Sequence, residues 1–430
     1  MNAKRINRIQ NLAIVLLTFS ALFLFASLPL FGALSEQSLL ELAHGRLQRD
    51  GAVSAESGSV PASLAFPVRM VYTNGFARLS TDALTTASGE FERSGTHLGE
   101  AIGSASGGTN ISERVFLEAL RGEGLYFDFT VPLPLDVLSD LLGIAPPDAG
   151  PSDVRRALLV PADSGDVTLY IQDGSDRQHR FSTAASSAAL IDFLAVQSGS
   201  GAEFAFLLDG DFLRLSPYTL VLSEPAPRVP LRAVNALPAG EDGFLRRAGF
   251  NAHTENRFTE SSGTVIIRES SSALYLRPNG TVDYQGGEAT PDSPYFVAAA
   301  EPGAPSRVEA ASAAQALALA LMQDYLGDAA LYLSGISGDG GLYEVTFDLT
   351  ADGTPIRFSD GSHAASFFVQ GQSIAAFSIK ARQYALGTEP VLLLPLTQAA
   401  AIARIWDDAE LSVAYVDAGG EEVLPTWITE

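Results

Sequence analysis

The five histidines are the side chains from which acid–base or metal chemistry could start. They are widely separated in the chain: His44, His97, His179, His253 and His363. None of them forms an HExxH or HxH pair, the spacings that bring two imidazoles to one zinc ion. Each is therefore interpreted as a surface or loop residue and not as a metal ligand.

Two short segments come close to functional motifs without matching them. GISGDGG (residues 335–341) approaches the G-x-S-x-G nucleophile elbow, but Asp339 stands where the last glycine belongs, which favours a turn. DLTADG (residues 348–353) resembles the start of a calcium loop, yet its twelfth position is Ser359 instead of a bidentate glutamate, which favours a hairpin turn. There is no GxGxxG or Walker A sequence. The sequence therefore predicts no catalytic residue, no metal ligand and no cofactor.

Composition excludes several classes of protein. The 430 residues include 27 basic and 50 acidic side chains, a formal charge of −23, whereas nucleic-acid binding requires a basic surface. The chain contains no cysteine, which rules out disulfides, zinc–thiolate sites and a cysteine nucleophile. With 47% hydrophobic residues, it can form sizeable cores.

The N-terminus has the pattern of a membrane anchor. Lys4, Arg5 and Arg8 precede an apolar run, Leu12–Leu34, that exceeds the roughly 20 residues needed to cross a bilayer. The positive-inside rule predicts a cytoplasmic N-terminus, with everything after the run outside the cytoplasm. The competing interpretation is a cleaved signal peptide. The length of the run and the poor small-x-small match in LFGALS favour an uncleaved single-pass anchor.

Small residues recur every seven positions in this run, at Ala13, Ser20 and Ser27. Small side chains let transmembrane helices approach closely, and a seven-residue repeat keeps one face towards a partner. These three residues are the candidate transmembrane interface. The alternative is chance, since other small residues also occur in the run.

The segment Gly124–Gly143, GLYFDFTVPLPLDVLSDLLG, predicts a strand followed by a helix. The strand, Tyr126–Val131, alternates with a period of two, which is typical of one buried face. Pro132 and Pro134 are expected to end it, because proline cannot donate to a strand partner. Leucines on one face then predict a short helix that the final glycine terminates.

Similar patterns predict further elements on both sides of this segment. Gly95–Gly108 is expected to be a loop and Ser112–Leu120 a helix capped by its serine. Strand-like runs follow at Ala157–Val160, Val167–Ile171, His179–Ser182, Glu203–Leu208, Phe212–Leu215, Thr264–Arg268, Ala273–Arg277, Thr281–Tyr284, Gly341–Leu349, Ile356–Phe358, Ala364–Gln370, Ser373–Ala381 and Leu411–Asp417. Helices are predicted at Ala184–Val196, Ala310–Leu326 and Pro395–Trp406.

These elements predict an α+β protein in which helices pack on antiparallel sheets. The expected organisation is an N-terminus and anchor in residues 1–34, an extracytoplasmic domain in residues 35–228 and a second one in residues 240–430. A proline cluster, Pro217–Pro238, marks the boundary between the two domains. A further division near residue 300 stays open.

The order of elements resembles the YycH family, membrane-anchored regulators of a WalK-type sensor histidine kinase in low-GC Gram-positive bacteria. In the first half the resemblance rests on LYFDFTVPLPLDVLSDLL and RALLVPADSGDVTLYIQD. In the second half, NRFTESSGTVIIRESSSALYLRPNGTVDYQG and LYEVTFDLTADGTPI are similar to the part that YycH shares with its companion YycI. That part is also similar to PepSY-type modules, a helix against an antiparallel sheet.

The resemblance implies a non-enzymatic, single-pass regulator of a two-component sensor histidine kinase, linked to cell-wall homeostasis. The implied contacts with the kinase are extracytoplasmic and transmembrane, and a YycI-like companion is a second implied partner. No catalytic residue is transferred, because the family has no catalytic signature. The alternative is a membrane-anchored extracytoplasmic hydrolase or ligand-binding protein, which a deep pocket lined by carboxylates with raised pKa values would favour.

Overall fold

The computed structural model describes residues 64–429, with gaps at 75–77, 82–83, 148–149, 198–200, 222–227, 301–302 and 407. The predicted anchor, Leu12–Leu34, lies outside these residues. The described residues all belong to one compact unit. The proposed division of this unit between residues 228 and 240 stays a prediction.

Eight strands from the first part of the described chain pair into one antiparallel sheet. They are β1 (Pro67–Thr73), β2 (Arg78–Ser80), β3 (Leu84–Thr85), β4 (Ser106–Ile111), β5 (Gly124–Pro134), β6 (Asp153–Pro161), β7 (Asp166–Gln172) and β8 (Gln178–Ser186). The strands lie side by side in the order β2-β1-β5-β6-β7-β8-β4, and β3 pairs with β1. Four helices belong to this region: α1 (Gly89–Gly103), α2 (Glu113–Arg121), α3 (Leu135–Leu141) and α4 (Ser187–Ala195).

Strand β5 confirms the predicted alternation but is buried on both faces. Phe127 and Phe129 stack with their ring centroids 6.3 Å apart, and Phe91 of α1 packs edge-on against both rings. On the opposite face, Tyr126 and Asp128 are each only 1% exposed. The sequence predicted one buried face. The second is covered by α2 and by the segment of residues 202–220, whose aromatic side chains pack on Tyr126.

Strand β5 also continues through Pro132 and Pro134, where the sequence predicted its end. Its register with β6 shifts between Asp128 and Leu133, and an irregular position of this kind does not require every residue to donate. Helix α3 then begins directly after Pro134, as predicted. Gly143 has a φ of 67°, the left-handed conformation of a glycine that ends a helix.

The segment Gly95–Gly108, predicted to be a loop, instead forms most of helix α1 and part of strand β4. Gly95 and Gly99 lie one turn apart where α1 meets the chain that follows α3. A Cβ on either glycine would lie 3.4–3.6 Å from the side chain of Leu142. The glycines therefore serve close helix packing, a role that their low helix propensity conceals in the sequence.

The connection between the two large sheets holds little regular structure. The predicted strands at 203–208 and 212–215 are wrong: only β9 (Glu203–Phe204) is extended, and the rest forms 3-10 turns at Ala205–Leu207 and Gly210–Arg214. The chain continues through β10 (Leu220–Val221), β11 (Leu231–Asn235) and α5 (Leu237–Arg247). Strand β10 pairs with β9 in a separate two-stranded sheet.

A second large sheet, of eleven strands, occupies the rest of the described chain. The strands of this part are β12 (Arg257–Thr259), β13 (Val265–Glu269), β14 (Ser272–Leu276), β15 (Thr281–Gln285), β16 (Ala329–Asp339), β17 (Leu342–Ala351), β18 (Thr354–Phe358), β19 (Ala365–Gln370), β20 (Ser373–Lys380), β21 (Arg382–Leu386), β22 (Leu411–Asp417), β23 (Glu422–Val423) and β24 (Pro425–Thr429). The two helices of this part are α6 (Arg307–Met322) and α7 (Leu396–Ala403).

The order of strands in this sheet is β12-β13-β14-β15-β20-β19-β17-β18-β22-β24, with β16 on the free side of β17. Only β18 and β22 are parallel. Strands β21, β11 and β23 form a small sheet of their own. The predicted strands Thr264–Arg268, Ala273–Arg277 and Thr281–Tyr284 are confirmed as the meander β13–β15, and Gly280 in the turn between the last two has a positive φ of 85°.

Helix α6 confirms the predicted alanine-rich helix with shifted ends. Ser306 and Glu309 form a capping box at its start, and buried alanines let it lie close against β16 and β17. Strand β16 was not predicted. Among the described residues it pairs only with β17, so its other side is an edge of the sheet.

Candidate functional site

The two large sheets meet at the start of the described chain. The amide N–H of Leu333 in β16 donates to the carbonyl oxygen of Ala65 at 2.8 Å, just before β1 begins. Beyond this bond β16 and the end of β5 separate, and a cleft of about 450 Å³ opens. The residues that define this junction cleft include Val131, Pro132 and Asp153 on one wall, and Ile336, Glu344 and His363 on the other.

The first wall is formed by the last residues of β5 and the first of β6. Pro132 and Pro134 present no N–H groups to the cleft, because both nitrogens carry the pyrrolidine ring. The carboxylate of Asp153 accepts hydrogen bonds from the backbone N–H of Gly174 and from the hydroxyl of Ser152, the latter at 3.0 Å. This wall is therefore apolar with one anchored negative charge.

The second wall is formed by β16, by β17 and by His363, which lies in the loop after β18. Register between β16 and β17 shifts at Ser334, which lies between Leu333 and Gly335 and has no partner in the ladder. A Cβ on Gly335 would lie 2.8 Å from Oγ1 of Thr346, so a larger residue here would force the Thr346 side chain to move. The shift directs polar side chains into the cleft.

His363 is held at the edge of the cleft by a buried carboxylate. Its Nδ1 lies 3.1 Å from Oδ1 of Asp348, whose side chain is 8% exposed and also pairs with Arg357 at 3.2 Å. The hydrogen bond to Asp348 raises the pKa of His363 above its ordinary value, although burial of the ring opposes this shift. The charged form of the imidazole is therefore favoured.

Ser334, His363 and Asp348 do not form a nucleophilic triad. The hydroxyl of Ser334 lies 3.4 Å from Nδ1 of His363, the same nitrogen that Asp348 engages. In a triad, the serine and the carboxylate occupy different ring nitrogens, so that one accepts a proton while the other is stabilised. When Nδ1–H donates to Asp348, it offers Ser334 no acceptor for its proton. The arrangement orients His363 but does not activate Ser334.

A buried network of charges links the first sheet to the C-terminal part of the chain. Asp128 stands directly beside Arg69 of β1 and Arg156 of β6 in the strand register, and its side chain is 1% exposed. Arg155 donates to Asp128, and Nε of Arg156 lies 3.6 Å from the same carboxylate. Glu410, next to β22, completes the network.

Glu410 bridges the arginines of two strands. Its carboxylate accepts from Arg156 at 2.7 Å and from Arg155 at 3.3 Å, and Arg69 lies 3.7 Å away. The guanidinium carbon of Arg156 also lies 4.2 Å from the ring centroid of Tyr218. Three guanidinium groups thus share two carboxylates in a poorly exposed region, which makes each carboxylate costly to remove.

Burial and charge act in opposite directions on Asp128. Burial favours its protonated form, but the positive charges of Arg155 and Arg156 outweigh burial, so the pKa of Asp128 lies below its ordinary value. The carboxylate is therefore ionised at neutral pH. This network of ion pairs links distant parts of the fold and is not an acid–base site.

The sequence-predicted residues are distributed as follows. The ring centroid of His97 lies 4.8 Å from that of Phe193, and Nε2 of His179 lies 3.2 Å from Asp173, the neighbour of Gly174, whose N–H donates to Asp153 of the junction cleft. His363 is an exposed loop residue, as the sequence predicted, and it also lines the cleft. Among residues 64–429, outside the gaps, no three His, Asp or Glu side chains are grouped as a metal site would require.

The candidate interface at Ala13, Ser20 and Ser27 lies outside the described residues. Within the described part of the chain, no helix combines the length and the apolar character needed to cross a membrane. Sequence reasoning missed Asp128 and Glu410. Two local patterns in the sequence could have indicated this network: an aspartate between two phenylalanines, and two adjacent arginines at the start of an apolar strand.

The fold and the cleft define a class of protein: a two-sheet α+β protein with a cleft at the junction of the sheets, in which Ser334 of the described lining is not activated as a nucleophile. The crystal structure of YycH from Bacillus subtilis has this fold. It matches with a TM-score of 0.53 and 11% sequence identity, over 86% of this chain and 95% of that chain. The resemblance to YycH is confirmed at the level of the fold. No protein-family model matches the sequence, and no curated protein matches it.

Proposed function

We propose that this chain is a non-enzymatic, membrane-anchored regulator of a WalK-type sensor histidine kinase. The observation that carries the proposal is the extent of the match to YycH, which spans 86% of this chain and 95% of that chain. The proposed topology is a cytoplasmic N-terminus, one membrane helix at Leu12–Leu34 and an extracytoplasmic remainder, with a YycI-like companion as a second partner.

The geometry of the junction cleft supports a binding role over the hydrolase alternative. A hydrolase requires a nucleophile whose proton has an acceptor, and Ser334 meets His363 at the nitrogen already engaged by Asp348. Ser334 is instead hydrogen-bonded to Thr346 at 3.2 Å, as a buried structural hydroxyl is. The proposal therefore assigns the extracytoplasmic part to contacts with other proteins.

The direct test is reconstitution of the full chain with the kinase in lipid vesicles. We expect the two proteins to co-purify from membranes and the rate of kinase autophosphorylation to differ with and without the chain. The proposal would be contradicted if neither protein carried the other through purification and the rate of kinase autophosphorylation were unchanged.

A matched pair of variants tests the transmembrane contact. Ser20→Leu with Ser27→Leu replaces two small residues of the proposed face, and we expect it to weaken co-purification with the kinase. Ala21→Leu with Ala26→Leu is the control, because it adds the same bulk on other faces. Leucine favours membrane insertion in both variants. Equal effects of the two pairs would refute a face-specific contact and leave the helix as a tether.

A further inference from the structure

We propose that the outer edge of β16 in the junction cleft binds an extended, basic peptide segment by strand addition. Over the cleft this edge has no strand partner among the described residues, because β16 pairs only with β17. The hydrogen bond from Leu333 to Ala65 lies just before the cleft. Free strand edges bind extended peptides through main-chain hydrogen bonds, and adjacent pockets select the side chains. This inference goes beyond kinase regulation and does not depend on it.

Ile336 provides the main-chain groups at the centre of this edge. The two-residue turn at Gly340 and Gly341 makes Asp339 and Leu342 a hydrogen-bonded pair. Pairs alternate along an antiparallel ladder, so Ile336 points its N–H and C=O away from β17. The guanidinium of Arg307 already donates to the carbonyl of Gly338 at 3.2 Å, two residues further along the same side.

The prolines of β5 keep this edge open. The end of β5 faces β16 across the cleft, and Pro132 and Pro134 have no N–H groups with which to form a ladder. The two strands therefore leave a cleft instead of joining into one sheet. An incoming peptide brings the donors that the prolines lack, and the apolar rings provide a wall against its side chains.

Charge selects the peptide. Among the described residues that line the cleft, none is lysine or arginine, and Glu344 and Asp153 place a carboxylate on each wall. Glu344 is exposed and makes no ion pair with any described lysine or arginine residue. His363 bonds to Asp348, which also pairs with Arg357, and Arg307 pairs with Asp136 at 2.9 Å. The carboxylates of Glu344 and Asp153 therefore outnumber the single imidazole in the cleft lining.

The reach of the side chains is consistent with this assignment. Glu344 pairs with Ser337 of β16, so its side chain lies on the same face as Ser337. A peptide strand added beyond β16 lies about 10 Å from β17, twice the spacing of neighbouring strands. A lysine or arginine side chain on that face and the side chain of Glu344 together span this distance, while an acidic side chain meets like charge.

The experiment measures binding of a labelled peptide to the full chain in detergent micelles by fluorescence anisotropy. The probe is acetyl-Thr-Lys-Val-Lys-Thr-amide, a short basic sequence of strand-forming residues. We expect this probe to bind and the same peptide with glutamate in place of lysine not to bind. Methylation of its three central backbone nitrogens should weaken binding at least fivefold, because it removes the donors of the added strand.

Two variants of the protein separate the cleft from general electrostatic attraction. Glu344→Lys reverses the charge at the cleft, and we expect about tenfold weaker binding. Glu118→Lys makes the same change of net charge on α2, where the side chain is 77% exposed, and should leave binding unchanged. Binding that resists backbone methylation, that falls equally in both variants, or that is absent for the basic probe would overturn the proposal.

Discussion

Replacement of Asp128 by asparagine tests whether the buried network bonds the first sheet to the C-terminal part of the chain. The change keeps the shape of the side chain and removes one of the two carboxylates that balance Arg69, Arg155 and Arg156. Asp128 is 1% exposed, so water cannot replace the lost charge. Removal of one partner from a buried ion pair costs about 3–5 kcal/mol, and we expect Asp128→Asn to lower the free energy of unfolding by that amount.

The matched control is Asp136→Asn. Asp136 pairs with Arg307 at 2.9 Å, but the two side chains are 43% and 27% exposed. An exposed pair contributes about 0–1 kcal/mol, so the control should be nearly neutral. Urea unfolding of the purified proteins, followed by far-ultraviolet circular dichroism, measures both values. Equal losses in the two variants would refute the argument that burial sets the cost.

The same network predicts a dependence on pH. Because the pKa of Asp128 is lowered in the folded protein, its contribution to stability is complete above about pH 4, the ordinary value in an unfolded chain. The contribution is lost as the pH falls through the lower value of the folded state. The protein with Asp128→Asn should therefore lose less stability between pH 5 and pH 3 than the unaltered protein does.

Two further outcomes follow from buried or hydrogen-bonded side chains. Phe129→Ala should lower the free energy of unfolding by about 3–5 kcal/mol, since the ring is fully buried; a loss below about 1 kcal/mol in urea unfolding would contradict its place in the core. The hydrogen bond to Asp348 raises the pKa of His363, so this bond stabilises the folded protein fully below about pH 6.5, the ordinary value in an unfolded chain. The stabilisation is lost as the pH rises through the raised pKa of the folded state. His363→Gln should remove that loss, which unfolding at pH 5.5 and pH 8.5 measures; the same difference in both proteins would refute it.

Local signals in the sequence located much of the fold. The Asp352-Gly353 turn lies where the sequence predicted a hairpin turn, and the Asn279-Gly280 turn joins two of the predicted strands, because such residues readily adopt the left-handed conformations seen at Gly280, Asp352 and Gly353. The position of Ser112 before α2 was also predicted, although its side chain makes no capping bond. Turns and helix ends depend on a few adjacent residues, which is why their composition predicts them.

Features that depend on distant neighbours were not predictable in this way. Strand β16, Ala329–Asp339, mixes apolar residues with Ser and Gly, and becomes a strand because β17 pairs with nearly its whole length. The second buried face of β5 exists only because residues 202–220 fold over it. The junction cleft likewise brings together Pro132 and His363, which no local period connects.

The bond between Arg156 and Glu410 also has a consequence for the order in which the protein folds. The two residues are 254 positions apart, so the first sheet is complete in sequence long before its balancing carboxylate has been synthesised. Until then, Arg69, Arg155 and Arg156 have only Asp128 as a counter-charge within this network. Closing so long a loop also adds an entropic cost. The nascent first sheet therefore reaches its final stability only after Glu410 has emerged, and a chain truncated before Glu410 keeps an unbalanced sheet that is open to proteolysis.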